Sequence, residues 1–115
     1  MNSGTRTRVA VNGYGVIGKR VADAVAKQED MRVVGVVDVV SDWRPRVALE
    51  RGFALYGPGN EQVEAMRKAG LAVSGTLDSL LADVDVVIDC TPKKVAATNV
   101  ETYRKRGVKF IVEGG

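Results

Sequence analysis

The 115-residue sequence contains no histidine, one cysteine, three prolines and only 5% aromatic residues. Without histidine it can build neither a Ser-His-Asp or Cys-His pair nor the usual histidine-containing metal sites. The single cysteine, Cys90, excludes an internal disulfide and a cysteine-rich zinc cluster. No catalytic and no metal-ligating residue is therefore assigned. Chemistry falls to a bound cofactor, to carboxylates, lysines, hydroxyls or that thiol, or to residues beyond Gly115. Long apolar runs are missing too. The longest, Val33 to Val40, is interrupted by Gly35 and Asp38 and is far too short to span a bilayer. No apolar segment of the secretory kind follows Arg6 and Arg8, so the expectation is a cytoplasmic protein without a membrane partner. The 17 Lys and Arg against 14 Asp and Glu give a net charge of +3, but the signs are interleaved rather than striped. With so few aromatics to stack on bases, no nucleic-acid partner is expected.

What is present is alternation on a length suited to one domain with its own core. Arg8 to Val11 and Arg32 to Val37 are Val-rich runs without polar alternation, as in strands covered on both faces. Between them Ile17, Val21, Ala24 and Val25 recur at helical spacing, with Lys19, Arg20, Asp23 and Lys27 opposite. Strand, helix and strand in about thirty residues form a βαβ unit. Further on, Asn60 is read as the cap of a helix with Glu61 and Glu64 near its start, Arg67 and Lys68 near its end, and Gly70 as its stop. Leu71 to Ser74 reads as a short strand, Thr76 as the cap of a brief helix through Leu81, and Val84 to Asp89 as a strong strand. A last helix from about Val95 to Arg106 aligns Ala96, Val100 and Tyr103, stops at Gly107 and precedes a strand at Val108 to Val112. The segment from Trp43 to Gly59 reads mainly as loop, with Val47 to Leu49 a candidate helical turn. The pattern predicts an α/β fold, a Rossmann-type doubly wound, mostly parallel sheet with helices on both faces.

Chemistry is concentrated in Gly13-Tyr-Gly-Val-Ile-Gly18, between the first strand and the first helix. A GxGxxG pattern alone is weak; its context here is specific. It follows a Val-rich strand, opens an amphipathic helix, and is followed by a strand ending at Asp38, 20 residues past Gly18. Gly13 permits a tight turn, Gly15 keeps a side chain away from a pyrophosphate, and Gly18 lets helix and strand pack closely. The amides around Val16 and Ile17, at the positive end of the helix dipole, then face the phosphates. Asp38 accepts from the adenosine ribose hydroxyls and repels a 2′-phosphate, which favours NAD; NADP stays open because Arg44 or Arg46 lies close by in sequence. Asp89-Cys-Thr-Pro92 closes another strand at the same sheet edge, so Thr91 and Pro92 join the candidate cofactor-binding residues. Lys93 and Lys94 read either as partners of an anion or as solvated cations, Cys90 as a small buried residue, and Trp43 as packing on the core edge or on adenine.

These residues resemble a known family. Asn12-Gly-Tyr-Gly-Val-Ile-Gly-Lys-Arg20, Val33-Val-Gly-Val36, Arg46-Val-Ala-Leu49, Gly75-Thr-Leu77, Asp89-Cys-Thr-Pro92 and Gly107-Val-Lys-Phe-Ile111 with Gly114-Gly115 look like the cofactor-binding half of the archaeal-type (class II) phosphorylating glyceraldehyde-3-phosphate dehydrogenases. The likeness runs from Arg8 onward. It implies an NAD- or NADP-binding domain, residues 1–115, of an oxidoreductase that is a tetramer of full-length chains. A second domain then supplies a cysteine that forms a thiohemiacetal with the aldehyde, and phosphate cleaves the thioester that follows hydride transfer. In that family the cysteine lies in a Ser-Cys-Asn-Thr-Thr motif that this sequence does not contain, so the chain by itself is expected to bind and not to turn over. Asp38-Val39 replaces the Lys-Thr common in the family, and Lys93 and Lys94 replace glycines. Two other readings remain open at this point: a stand-alone nucleotide-binding regulatory or redox-sensing module, and the first domain of another reductase such as a dihydrodipicolinate reductase or aspartate-semialdehyde dehydrogenase.

Overall fold

The structure, a computed structural model, describes residues 6–38 and 44–113. The first βαβ unit forms as the hydrophobic pattern predicts. Strand β1 (Thr7–Asn12) leads into helix α1 (Val16–Ala26), which returns the chain to strand β2 (Met31–Val37), parallel to β1. Helix α2 (Arg44–Glu50), strand β3 (Leu55–Gly57), helix α3 (Asn60–Lys68) and strand β4 (Val73–Thr76) extend the sheet outward. Helix α4 (Leu77–Leu81) then carries the chain back, so that strand β5 (Val86–Asp89) pairs with the other side of β1. Helix α5 (Lys93–Arg106) and strand β6 (Lys109–Val112) complete it. The strand order is β4-β3-β2-β1-β5-β6, and every pairing is parallel. The order reverses between β1 and β5, the place where such sheets open a crevice at their carboxyl edge.

Buried side chains separate onto the two faces. Val9, Val11, Val36 and Leu55 pack with Ala22 and Val25 of α1, Ala48 of α2 and Val63 and Met66 of α3. Ala10, Val37 and Val87 pack on the opposite face with Leu80 and Leu81 of α4 and Tyr103 of α5. Each buried Val or Leu contributes about 1.5–3 kcal/mol through apolar surface removed from water, which is why the strands tolerate no polar alternation. A register shift in the β1–β2 pairing sets Val9 opposite Val33 but Ala10 opposite Gly35. Gly35 is required there, because a β-carbon would lie 2.4 Å from the Tyr56 ring. At the amino edge Arg8 pairs with Asp85 at 3.0 Å and holds its carboxyl below the usual range. No helix among the described residues is long and apolar enough to cross a membrane.

Several local expectations are corrected. The inward stripe of α1 is Gly18, Ala22 and Val25, whereas Ile17 and Ala24 are exposed. The helix axis is set by the small residues that touch the sheet, which turns Ile17 toward the carboxyl edge. Asn60 is the first residue of α3 and not its cap; Gly59 holds that position. Strand β4 starts two residues later than Leu71, β5 starts at Val86 rather than Val84, and α5 begins at Lys93 with Pro92 as its cap. Strand β3 was hidden in the Gly- and Pro-rich stretch because three residues carry almost no periodicity. Thr76 does cap α4, through a reciprocal bond with Ser79. Trp43 and Val39 lie outside the described residues, as do Gly114 and Gly115.

Gly18 has no room for a side chain: a β-carbon there would lie 1.7 Å from the carbonyl oxygen of Gly13. Backbone cannot yield there as a flexible side chain could. Gly18→Ala is therefore expected to lower stability by at least about 3 kcal/mol in urea unfolding. A loss below about 0.5 kcal/mol would contradict this packing.

Candidate functional site

Three strand ends converge at the carboxyl edge. The Gly13 amide donates to the Val37 carbonyl at 2.8 Å, and the Cys90 amide donates to the Asn12 carbonyl at 2.7 Å. Gly13 has a φ of +98°, and a β-carbon on it would meet the backbone of Cys90 and Thr91 at 3.0 Å. The turn after β1 is thus pressed against the turn after β5, and any side chain at residue 13 would part them. Between these turns opens a cleft of about 670 Å³.

Of the residues singled out from sequence, Gly13, Gly15, Val16, Ile17, Asp38, Thr91 and Pro92 all line the cleft. Gly18 does not; it is buried behind the turn and fixes the height at which α1 starts. Gly15 caps α1 with no side-chain hydrogen bond, and the first turn carries no acid. The opening amides of a helix lack intrahelical partners, so the cleft faces backbone donors at the positive end of a helix dipole. Val16 and Ile17 are 69% and 47% exposed at the rim, unusual for apolar side chains and suited to covering a ligand. Asp38 is buried at the end of β2, and its amide donates to the Tyr56 carbonyl at 3.1 Å. Arg46 donates to the carbonyl of Ala69 at 3.4 Å. Lys93 and Lys94 are exposed.

Beneath the β5 side lies a polar network that sequence reasoning missed. Asp89 is fully buried. Its Oδ1 accepts from the Thr91 amide at 2.9 Å and the Thr91 hydroxyl at 2.5 Å. Its Oδ2 accepts from Asn99 Nδ2 at 3.0 Å and the Tyr103 hydroxyl at 2.5 Å. Asn12 Nδ2 in turn donates to the Tyr103 oxygen at 2.8 Å. Four donors saturate the carboxylate, which makes its burial tolerable. Burial, and then the bond to Asp89, push the Tyr103 phenol far up, so it stays a donor. The signal was available as Asp89-x-Thr91 together with Asn99 and Tyr103 at an i, i+4 spacing on α5. Cys90 is a free thiol, half-buried beside this network; burial and the neighbouring Asp89 carboxylate push it up to about 11.

Comparison with known proteins gives this geometry its context. The model of the family described as "Dihydrodipicolinate reductase, N-terminus" matches residues 7–113. Glyceraldehyde-3-phosphate dehydrogenase from Methanothermus fervidus is 49% identical over 107 residues, 93% of this chain and 32% of that protein. The enzyme of the same name from Methanothermobacter thermautotrophicus is 50% identical over an equal span, with the same shares covered. The chain therefore spans about a third of the length of the curated relatives it matches. Among solved structures, UDP-N-acetylglucosamine 3-dehydrogenase from Acidithiobacillus ferrooxidans superposes with a TM-score of 0.68 at 24% identity, over 93% of this chain and 29% of that one, a likeness of fold. Identities near one half favour the oxidoreductase resemblance over a stand-alone regulatory module.

Two outcomes follow from the network and the thiol. Tyr103→Phe strips one donor from Asp89 and the acceptor from Asn12, and is expected to cost about 1–3 kcal/mol in thermal or urea unfolding; an unchanged midpoint would contradict the network. With Cys90 raised from 9.0 to about 11, its thiolate fraction at pH 8 is about a hundredfold below that of an ordinary cysteine. Alkylation by iodoacetamide should accordingly stay slow at pH 8 and rise with a midpoint near 11. By linkage, the stability held in this protonated thiol is full below pH 9.0 and is lost as pH climbs through about 11. A midpoint near 9 would contradict it.

The all-parallel sheet with its switch point at β1 and β5, the glycine turn that opens α1 onto the cleft, and the match over residues 7–113 place the chain in the family of dihydrodipicolinate reductase N-terminal domains, as an NAD(P)-binding Rossmann-type domain that resembles the corresponding part of archaeal glyceraldehyde-3-phosphate dehydrogenases.

Proposed function

We propose that the cleft binds NAD, and that the chain is the cofactor-binding part of a phosphorylating aldehyde dehydrogenase of the glyceraldehyde-3-phosphate type. The observation that carries this reading is the start of α1: a helix terminus with no side-chain cap and no acid in its first turn, opening onto a cleft between two backbone turns in contact. A diphosphate suits that terminus because it brings two negative charges and several acceptors to amides without partners in the helix. Gly15 leaves room for it. Val16 and Ile17 cover it from the rim. Asp38, on the β2 side, takes the adenosine ribose hydroxyls, and its negative charge works against a 2′-phosphate. Thr91 and Pro92, on the β5 side, border the other half of the dinucleotide.

When bound, the nicotinamide ring gives or takes a hydride; this chain's share is to hold and orient it. Cys90 is a poor candidate for the nucleophile, since its thiol is protonated at neutral pH and no histidine is present to act on it. The aldehyde chemistry belongs to residues outside these 115, in a second domain, and the full-length parent is read as a cytoplasmic homotetramer on the same resemblance. Interleaved charge along the chain supports the absence of a nucleic-acid partner.

Calorimetric titration of the purified chain should give tighter binding of NAD than of NADP by about tenfold or more, and Asp38→Ala should narrow or reverse that ratio. Tighter binding of NADP by the unmodified chain would overturn the assignment. The same preparation is expected to show no oxidation of glyceraldehyde 3-phosphate with NAD and phosphate. Measurable turnover would place the catalytic groups inside this domain.

A further inference from the structure

We propose that Asp89 is a positioning residue for the cleft: by accepting the hydrogen bond of the Thr91 hydroxyl it leaves that side chain able to act only as an acceptor for the nicotinamide half of the dinucleotide. The proposal rests on the reading of the cleft as an NAD site and assigns the chemistry of its β5 side.

A threonine hydroxyl has one proton and two lone pairs. The Thr91 proton is donated to Asp89 Oδ1 at 2.5 Å, and the Thr91 amide points to the same oxygen at 2.9 Å. Neither donor is left for a ligand, so a group that reaches the Thr91 oxygen from the cleft this residue lines meets lone pairs only. The arrangement is held from behind. Asp89 Oδ2 is occupied by Asn99 and Tyr103, and Tyr103 is fixed by Asn12, which leaves the carboxylate no freedom to rotate away. Thr91 thus repels phosphate oxygens and favours a donor.

Topology says which donor. The diphosphate sits over α1 behind β1, and Asp38 stands at the end of β2 on one side of it. Thr91 follows β5 on the other side. With the adenosine ribose at Asp38, the group reaching Thr91 is the nicotinamide nucleoside, which offers ribose hydroxyls and a carboxamide NH₂. Asp38 and Thr91 thus stand as acceptors on either side of the cleft, with the opening backbone amides of α1 between them. That pattern of acceptor, donors and acceptor fixes where the phosphates go.

The test compares NAD, ADP-ribose and ADP on the purified chain carrying Thr91→Val or Thr91→Ser, with unfolding curves to confirm that each is folded. Losing one hydrogen bond should weaken NAD roughly three- to tenfold in Thr91→Val, with ADP changed less than about twofold and Thr91→Ser restoring the affinity. A loss shared by ADP-ribose assigns the donor to the ribose. A loss confined to NAD assigns it to the carboxamide; both outcomes support the proposal. Asp89→Ala, which removes the acceptor, should show the same selective loss as Thr91→Val where it folds, and an unchanged ratio of NAD to ADP affinity in that variant would rule out the role of Asp89. If Asp89→Ala does not fold, the Thr91 pair decides. Thr91→Val that binds NAD normally, or weakens NAD and ADP alike, overturns the proposal while leaving the NAD site standing. An unmodified chain that binds neither NAD nor ADP overturns the site itself.

Discussion

The contact between Gly18 and the Gly13 carbonyl sets the position of everything at the carboxyl edge. Because no methyl fits between them, α1 begins directly on the turn that ends β1. That height decides where the first helical amides point, and it presses the Gly13 turn against the backbone of Cys90 and Thr91. The cleft is therefore a consequence of backbone packing. Side chains decorate a shape that three glycines have already fixed, which is why Val16 and Ile17 can be exposed there without loss to the core.

Much of this was legible in the sequence, for identifiable reasons. Long Val-rich runs with turn residues at their ends gave β1, β2 and β5, and a buried strand in a parallel sheet has no polar face to confuse the reading. The glycine fingerprint located the turn and α1, and Asp38 was placed by its distance from Gly18. Less legible was the inward face of α1. Hydrophobicity pointed to Ile17, Val21, Ala24 and Val25; packing kept Val25 inside and Val21 against the core but put Gly18 and Ala22 where Ile17 and Ala24 were expected, because close approach to a sheet rewards small residues. Strand β3 escaped because its three residues owe their structure to pairing with β2 and β4 rather than to any local pattern. The Asp89 network escaped for a similar reason: the i, i+4 pair Asn99 and Tyr103 is brought onto Asp89 and the distant Asn12 only by the fold.

The network and the glycine turn divide the labour of the site. On one side, backbone amides supply donors that need no side chain and no protonation equilibrium. On the other, a saturated buried carboxylate holds Thr91 in one orientation at the cost of burying charge, a cost met by four hydrogen bonds. Cys90, set between them, is kept protonated by the same surroundings. A domain built this way suits an NAD(P)-type dinucleotide, and it spans about a third of the length of the dehydrogenases it resembles.

The proposed site holds a diphosphate on the first amides of α1, between Asp38 and Thr91. Backbone amide shifts of the ¹⁵N-labelled chain, followed during titration with NAD, test it most directly. Saturable changes are expected, largest at Gly15, Val16 and Ile17 and accompanied by Asp38 and Thr91. Changes centred elsewhere, or none at millimolar NAD, would contradict it.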